Sequence, residues 1–418
     1  MTTPQATIVL VGHGMVGQRF LEALAERGLT GTHRVVVLCE EPRPAYDRVQ
    51  LTSYFSGRTP EELSLTDLAF IEEHGIELYV GDPAVAVDRE AREVTARSGL
   101  VVGYDVLVLA TGSYPFVPPV PNKDAEGCFV YRTIEDLLAI EEYARRSTTG
   151  AVVGGGLLGL EAAGALRGLG LTSHIVEFAP RLMPVQVDDG GGAALLRTIE
   201  EMGLSVHTGV GTQEIVVGDD GAVTGMRLSD GSELSTDLVV FSAGVRPRDQ
   251  LARDCGLSVG ERGGIAVDEQ CRTVSDPRVF AIGECALAAD GRVYGLVAPG
   301  YEQAETVAAT IAEDESSFTG ADLSTKLKLL GVDVASFGDA HGTAGDCLDV
   351  VYSDSRSGLY KKLVIARDGT LLGGILVGDS GETGGTDPVN ARRVPYASAS
   401  PTRMPPSSVP SLPITSFL

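Results

Sequence analysis

Two runs of glycine have the spacing to hold a phosphate. The first, GHGMVG, places Gly12, Gly14 and Gly17 between the β-branched stretch Thr7–Val11 and an apolar-periodic segment ending near Arg27. In a strand–turn–helix unit the first glycine permits the tight bend and the second lets a pyrophosphate approach the backbone. The third lets the helix pack on its strand, while the helix N-terminus offers the positive end of its dipole. Glu40 follows the next strand-like run, Arg34–Cys39, where a carboxylate accepts hydrogen bonds from a ribose diol. The second run, GGGLLGLEAAGALRGLG, repeats the pattern about 140 residues on, with Gly154, Gly156 and Gly159 after the strand-like Ala151–Val153. Leu158 lies in the same turn and is taken with the binding residues, and Glu177 closes the following strand, Ser173–Glu177. A carboxylate at that position favours NADH, because it repels a 2′-phosphate; Arg181, four residues on, leaves NADPH open. The order of the two units suggests FAD on the first and NAD on the second.

Three short motifs accompany them. Ala110-Thr111-Gly112 closes a strand with small residues that let a loop pass close to a bound nucleotide. Ser242-AGVRP, with Gly244, repeats that exit at the end of the second unit. Ala281-IGECA carries Gly283 and then Glu284, a carboxylate suited to hydrogen-bond a ribityl chain. The series GHGMVG, ATG, GGGLLGLE, AGVRP, AIGECA resembles the two-dinucleotide-domain flavoprotein disulfide reductase superfamily across residues 7–380. Within it, EEPRPAYDRVQLTSYFSG, AIGECA, GLVAPGYEQAE and GLYKKLVIARDGTLLGGILVGD are most similar to the flavin-containing N-terminal part of the large subunit of assimilatory NAD(P)H nitrite reductases. Glu284, where most of the superfamily has Asp, points to that subgroup.

The resemblance implies further roles. Arg43 and Arg48 would sit beside FAD, Arg48 near its phosphates or ring, and Glu161 would lie near the stacked nicotinamide and flavin rings. Glu161 and Arg48 are therefore the expected catalytic pair. The amides from Val297 to Gly300 would face the pyrimidine edge of the flavin and stabilise negative charge on the reduced ring. The chain also departs from the superfamily. It has no cysteine in Leu51–Gly57, where single-cysteine relatives carry theirs, and no redox pair elsewhere. Cys39 and Cys285 read as small core residues. The six histidines, His13 in the first glycine loop among them, lack metal-ligand spacing, and no metal site is expected.

These residues need an α/β scaffold of two Rossmann-like domains and a small α+β C-terminal domain. The FAD domain is expected at 1–115 and 238–320, the NAD(P) domain at 116–237 after a proline-rich crossing, and the small domain at 321–380. A chain of 418 residues has room for two or three domains at roughly 150 residues each. Residues 381–418 carry 7 of the 21 prolines, without strand or helix periodicity, and read as a disordered tail with an abrupt change of character.

Composition narrows the function classes. Fifty-seven acidic against 33 basic side chains leave a net charge of −24, which opposes nucleic-acid binding and anionic membranes. No apolar run approaches the ~20 residues that span a bilayer, and the N-terminus lacks a signal-peptide pattern, so a cytoplasmic location is expected. The six cysteines, at 39, 128, 255, 271, 285 and 347, contain no CxxC pair, and the clusters that hold the iron–sulfur and sirohaem centres of complete nitrite reductases are missing. The expected activity is hydride transfer from NADH to FAD and electron delivery to a metal centre or an iron–sulfur protein, with a homodimer through the third domain open. The alternatives are an NADH-dependent rubredoxin or ferredoxin reductase and a catalytically idle flavin-binding remnant.

Overall fold

The computed structural model describes residues 6–343 and 345–378, so the expected tail at 381–418 lies outside the described residues. Contacts divide the chain into two compact units, one of Met1–Leu182 with Gly203–Leu323 and one of Met183–Met202 with Ser324–Leu418.

The first unit holds two mostly parallel sheets. In one, the strands Ala6–Val11, His33–Leu38 and Glu77–Tyr79 run side by side on one flank. Val106–Leu109 and the late strand Asp276–Ala281 complete the other flank, and the short Arg272–Thr273 closes it. The continuous apolar character of the first strand follows from its central place: Ile8, Val9 and Leu10 are fully buried, because helices or loops cover both faces. One covering helix, Met15–Glu26, buries Phe20, Leu21 and Leu24; another, Val297–Ile311, buries Ala304, Val307 and Ala308 in the same core.

The second sheet has the order Ser205–Thr208, Thr172–Glu177, Thr149–Val153, Leu238–Phe241, Cys128–Val130. Leu238–Phe241 pairs in parallel with Thr149–Val153, so the expected boundary at 237 falls one strand too early. The run LVVF is buried on both faces, and only the second sheet offers it two neighbours. The chain passes between the two halves through paired short strands, Ser113–Pro115 and Val245–Pro247, which run antiparallel. A three-stranded antiparallel sheet, Ala84–Asp88, Glu93–Ala96 and Val101–Gly103, flanks the first half.

The second unit is a five-stranded antiparallel sheet from Thr325 to Val377 with the helix Asp189–Glu201. The α part of the expected α+β domain therefore comes from inside the segment assigned to 116–237. Its attachment is electrostatic as well as apolar. Asp188 caps the helix through Gly191 N at 2.9 Å and accepts a hydrogen bond from Tyr360 Oη at 2.9 Å. The buried Lys362 ammonium bridges Asp188 and Asp349 at 3.2 and 2.9 Å, and a Cβ on Gly190 would lie 2.4 Å from the Tyr360 ring. No helix among the described residues is long and apolar enough to cross a membrane.

Candidate dinucleotide-binding sites

The two glycine loops are built alike. Gly12 has φ +103° and donates its N–H to Leu38 O at 2.9 Å, and Gly154 has φ +120° and donates to Val176 O at 2.9 Å. A Cβ at Gly12 would lie 2.3 Å from Ala110 O, and one at Gly154 would lie 2.2 Å from Ser242 O. The small motifs ATG and SAG are thus pressed against the loop bends. The third glycine of each set, Gly17 or Gly159, has no room for a Cβ over the carbonyl of the first glycine (2.6 and 1.9 Å). The middle glycines differ: a Cβ on Gly14 or Gly156 would meet nothing within 4 Å. Open space therefore lies where a pyrophosphate would approach.

The helices that start there are left uncapped. Met15–Glu26, Leu157–Gly168 and Val297–Ile311 begin at Gly14, Gly156 and Leu296 without any side-chain cap. By contrast, Ile134–Ala144 is capped by Thr133 and Asp189–Glu201 by Asp188. Uncapped first-turn amides beside open space suit an anion. The start of Val297–Ile311 packs tightly on the first glycine helix, since a Cβ at Gly300 would lie 2.6 Å from Val16. Nearby, Gly283 N donates to Gln303 Oε1 at 2.7 Å, while the buried Gln303 Nε2 has no protein partner. These features fit a dinucleotide pyrophosphate at each glycine loop.

The two expected ribose carboxylates are held differently. Glu40 is ion-paired with Arg248, whose backbone is stitched to the ATG motif by Thr111 Oγ1 to Arg248 O (2.6 Å) and Arg248 N to Gly112 O (2.9 Å). Glu177 instead accepts backbone N–H groups from Gly155 at 2.5 Å and Ala179 at 2.6 Å. Leu158 is half-buried in the first turn of its helix, and Gly244 is exposed, its carbonyl accepting from Phe116 N at 2.8 Å.

Arg48 does not stand free. It pairs with Glu41, donates to Arg132 O at 2.8 Å and lies over the Tyr46 ring at 4.7 Å. Glu284 accepts from Ser113 Oγ at 2.8 Å and pairs with Arg132. Arg43 makes an ion pair with Glu135, at 3.0 and 2.7 Å, in the first turn of Ile134–Ala144. Glu161 accepts a hydrogen bond from Thr52 Oγ1 at 2.9 Å; burial pushes its pKa above the usual carboxylate value and the Thr52 hydroxyl opposes that. Glu41, Tyr46, Thr52, Arg132, Arg248 and Gln303 escaped the sequence reading. Glu41, Tyr46 and Thr52 lie within EEPRPAYDRVQLTSYFSG and Gln303 within GLVAPGYEQAE, and Arg132 stands just before the capping box of Thr133 and Asp136.

All six cysteines are free thiols. Burial pushes Cys39 up to about 11 and Cys271 to about 12, so neither offers a thiolate near neutral pH.

Comparison with known proteins places this geometry. The chain is 57% identical over 383 residues to the nitrite reductase [NAD(P)H] large subunit of Klebsiella oxytoca, covering 91% of this chain and 39% of that protein. It is 53% identical over 378 residues to the nitrite reductase (NADH) large subunit of Escherichia coli K12, covering 90% of this chain and 44% of that protein. The chain therefore spans less than half the length of these relatives. A solved ferredoxin reductase from Rhodopseudomonas palustris superposes with a TM-score of 0.80 at 29% identity, covering 89% of this chain and 91% of that one. Residues 324–384 match the rubredoxin NAD+ reductase C-terminal domain. Residues 6–310, which contain both glycine loops, match the pyridine nucleotide-disulphide oxidoreductase profile, and the chain belongs to that family of NAD(P)H-using flavoproteins.

Proposed function

We propose that this chain is the flavin module of an NAD(P)H nitrite reductase large subunit, binding FAD at Gly12–Gly17 and NADH at Gly154–Gly159. The observation that carries this reading is the pair of equivalent loops, each with one open middle glycine ahead of an uncapped helix. The similarity to two nitrite reductase large subunits supports the parent activity. When bound, the two groups supply hydride transfer from a dihydronicotinamide to an isoalloxazine.

The protein's part is to bind and orient. The amides of the two glycine loops take the pyrophosphates, Glu40 and Glu177 take ribose hydroxyls, and Glu177 favours NADH over NADPH. The network of Glu41, Arg48, Arg132 and Glu284 fixes side chains around the flavin site, with Arg48 set by two partners and an aromatic face. The first-turn amides at Val297 put partial positive charge beside a ring that gains negative charge. Glu161 borders the nicotinamide. The electron acceptor is a metal centre or iron–sulfur protein, on a longer form of the chain or on another polypeptide, in the cytoplasm, and a homodimer is compatible with this role. Electron delivery to a rubredoxin or ferredoxin is the second reading, favoured by the C-terminal match at 324–384.

The anaerobic visible spectrum tests this. The purified chain is expected to show a flavin spectrum that one equivalent of NADH bleaches and that nitrite then leaves reduced. Reoxidation by a rubredoxin or ferredoxin favours the second reading. Bound flavin that NADH cannot bleach points to the idle remnant, and failure to bind flavin after reconstitution overturns the proposal.

A further inference from the structure

We infer that Thr52 is a positioning residue for the Glu161 carboxylate, set in a strap, Leu51–Ser56, that ties the flavin half to the nicotinamide half. The inference rests on the reading of Glu161 as a nicotinamide-side group. The strap leaves the first half and makes three ties to the second. Thr52 Oγ1 donates to Glu161 Oε2 on the helix Leu157–Gly168 at 2.9 Å. Tyr54 Oη donates to Glu141 Oε2 on the helix Ile134–Ala144 at 2.5 Å. The Phe55 ring stacks on Tyr131, with centroids 6.4 Å apart and planes at 23°.

The hydrogen-bond polarity is determined by proton count. Tyr131 Oη donates to Thr52 Oγ1 at 3.0 Å, so the single Thr52 proton points to Glu161. Tyr131 is buried, and burial holds its phenol far above the ordinary value, so it remains a donor across the working range. The relay thus ends on a carboxylate that must accept. Two hydroxyls face Glu161: Thr52 from the strap and Tyr131 behind it. The carboxylate that the strap meets on the helix Ile134–Ala144, Glu141, is held by Tyr54. Burial and the Thr52 bond therefore pull the Glu161 carboxylate in opposite directions, and the hydroxyl aims the group and favours its ionised form.

The variants Thr52→Val and Thr52→Ser separate this from simple packing. Valine keeps the shape and removes the hydroxyl; serine keeps the hydroxyl. The rate of NADH-driven flavin reduction is measured against pH in the full chain. Thr52→Val is expected to move the acid limb upward by about one to two pH units, the equivalent of one hydrogen bond to a charged group. Thr52→Ser is expected to restore the parent profile, and Glu161→Gln to remove the limb. In parallel, a double-mutant cycle of Thr52→Val with Glu161→Gln is read in thermal unfolding and is expected to be non-additive. A Thr52→Val profile that superimposes on the parent, or an additive cycle, overturns the inference. If NADH does not reduce the parent flavin, the functional reading fails, while the unfolding cycle still decides whether Thr52 and Glu161 are coupled.

Discussion

The two glycine loops share one backbone solution and differ in how each holds its acid and fills its bend. In both, a left-handed first glycine lies against a carbonyl of the neighbouring strand exit, and a third glycine lies over the first. In the second loop the next residue is Gly155, whose N–H binds Glu177. In the first loop that place is taken by His13, buried to 5% exposure and bonded through Nε2 to Gln18 Oε1 at 3.1 Å, with Nδ1 unpartnered. Gln18 continues the chain to Glu22 and Thr66. Glu40 is therefore left to an ion pair with the returning Arg248, while Glu177 is locked to backbone. The second acid is preorganised by the fold; the first depends on a side chain from more than 200 residues away.

The largest effects should come where the loops agree. Gly12→Ala and Gly154→Ala each force a Cβ against a backbone oxygen at positive φ, with an expected cost on the order of 3–5 kcal/mol. Urea unfolding measures it, and equal losses would support a shared backbone solution. A tolerated alanine at either site would break it.

His13 should make the first half sensitive to acid. Burial lowers its pKa from 6.5 to about 4, with the Gln18 bond opposing. The folded value lies below the unfolded one, so this contribution is present above pH 6.5 and is lost as pH falls through about 4. It amounts to about 3 kcal/mol. Unfolding curves from pH 7 to 4 should be shallower for His13→Asn than for the parent, and parallel slopes would remove the imidazole from the account.

The acids should separate next. Glu177→Gln turns an amide N–H₂ toward backbone donors and should cost about 1–3 kcal/mol. Glu40→Gln only opens a half-exposed ion pair and should cost under about 1 kcal/mol. Equal costs in nucleotide-free unfolding would erase the proposed difference. The smallest stability effects belong to Gly14→Ala and Gly156→Ala, about 1 kcal/mol or less, because each Cβ enters open space. Their binding effects should nevertheless split: Gly14→Ala loses flavin absorbance, whereas Gly156→Ala keeps it and loses bleaching by NADH.

Much of this was readable in advance. The α/β class and the two parallel units follow from strand–glycine–helix periodicity and the small third domain from its strand-like runs, and both patterns are local. Boundaries were less legible. LVVF at 238–241 reads equally well as a strand of either half, and only its two neighbours assign it to the second sheet. The helix Asp189–Glu201 looks like any amphipathic helix, and its grouping with the C-terminal sheet rests on Asp188, Tyr360 and Lys362, more than 170 residues apart in sequence. At the sites, the glycines and acids stood out because their chemistry is tied to spacing. Arg48 and Arg43 were visible as charges, but their partners Glu41 and Glu135 were not, since an ion pair leaves no periodic mark.

The sequence by itself determined what is written in consecutive residues: two glycine loops, an acid after each second strand, and no cysteine in the strap. Each depends on backbone conformation within a few residues, which side-chain type controls directly. Tertiary structure decided which of those groups meet. The Arg248 partner of Glu40, the Thr52 hydroxyl on Glu161 and the carbonyls that exclude a Cβ from Gly12 and Gly154 all come from distant segments. Their proximity is set by sheet order and by the paired crossing at 113–115 and 245–247, a long-range outcome that no local pattern encodes.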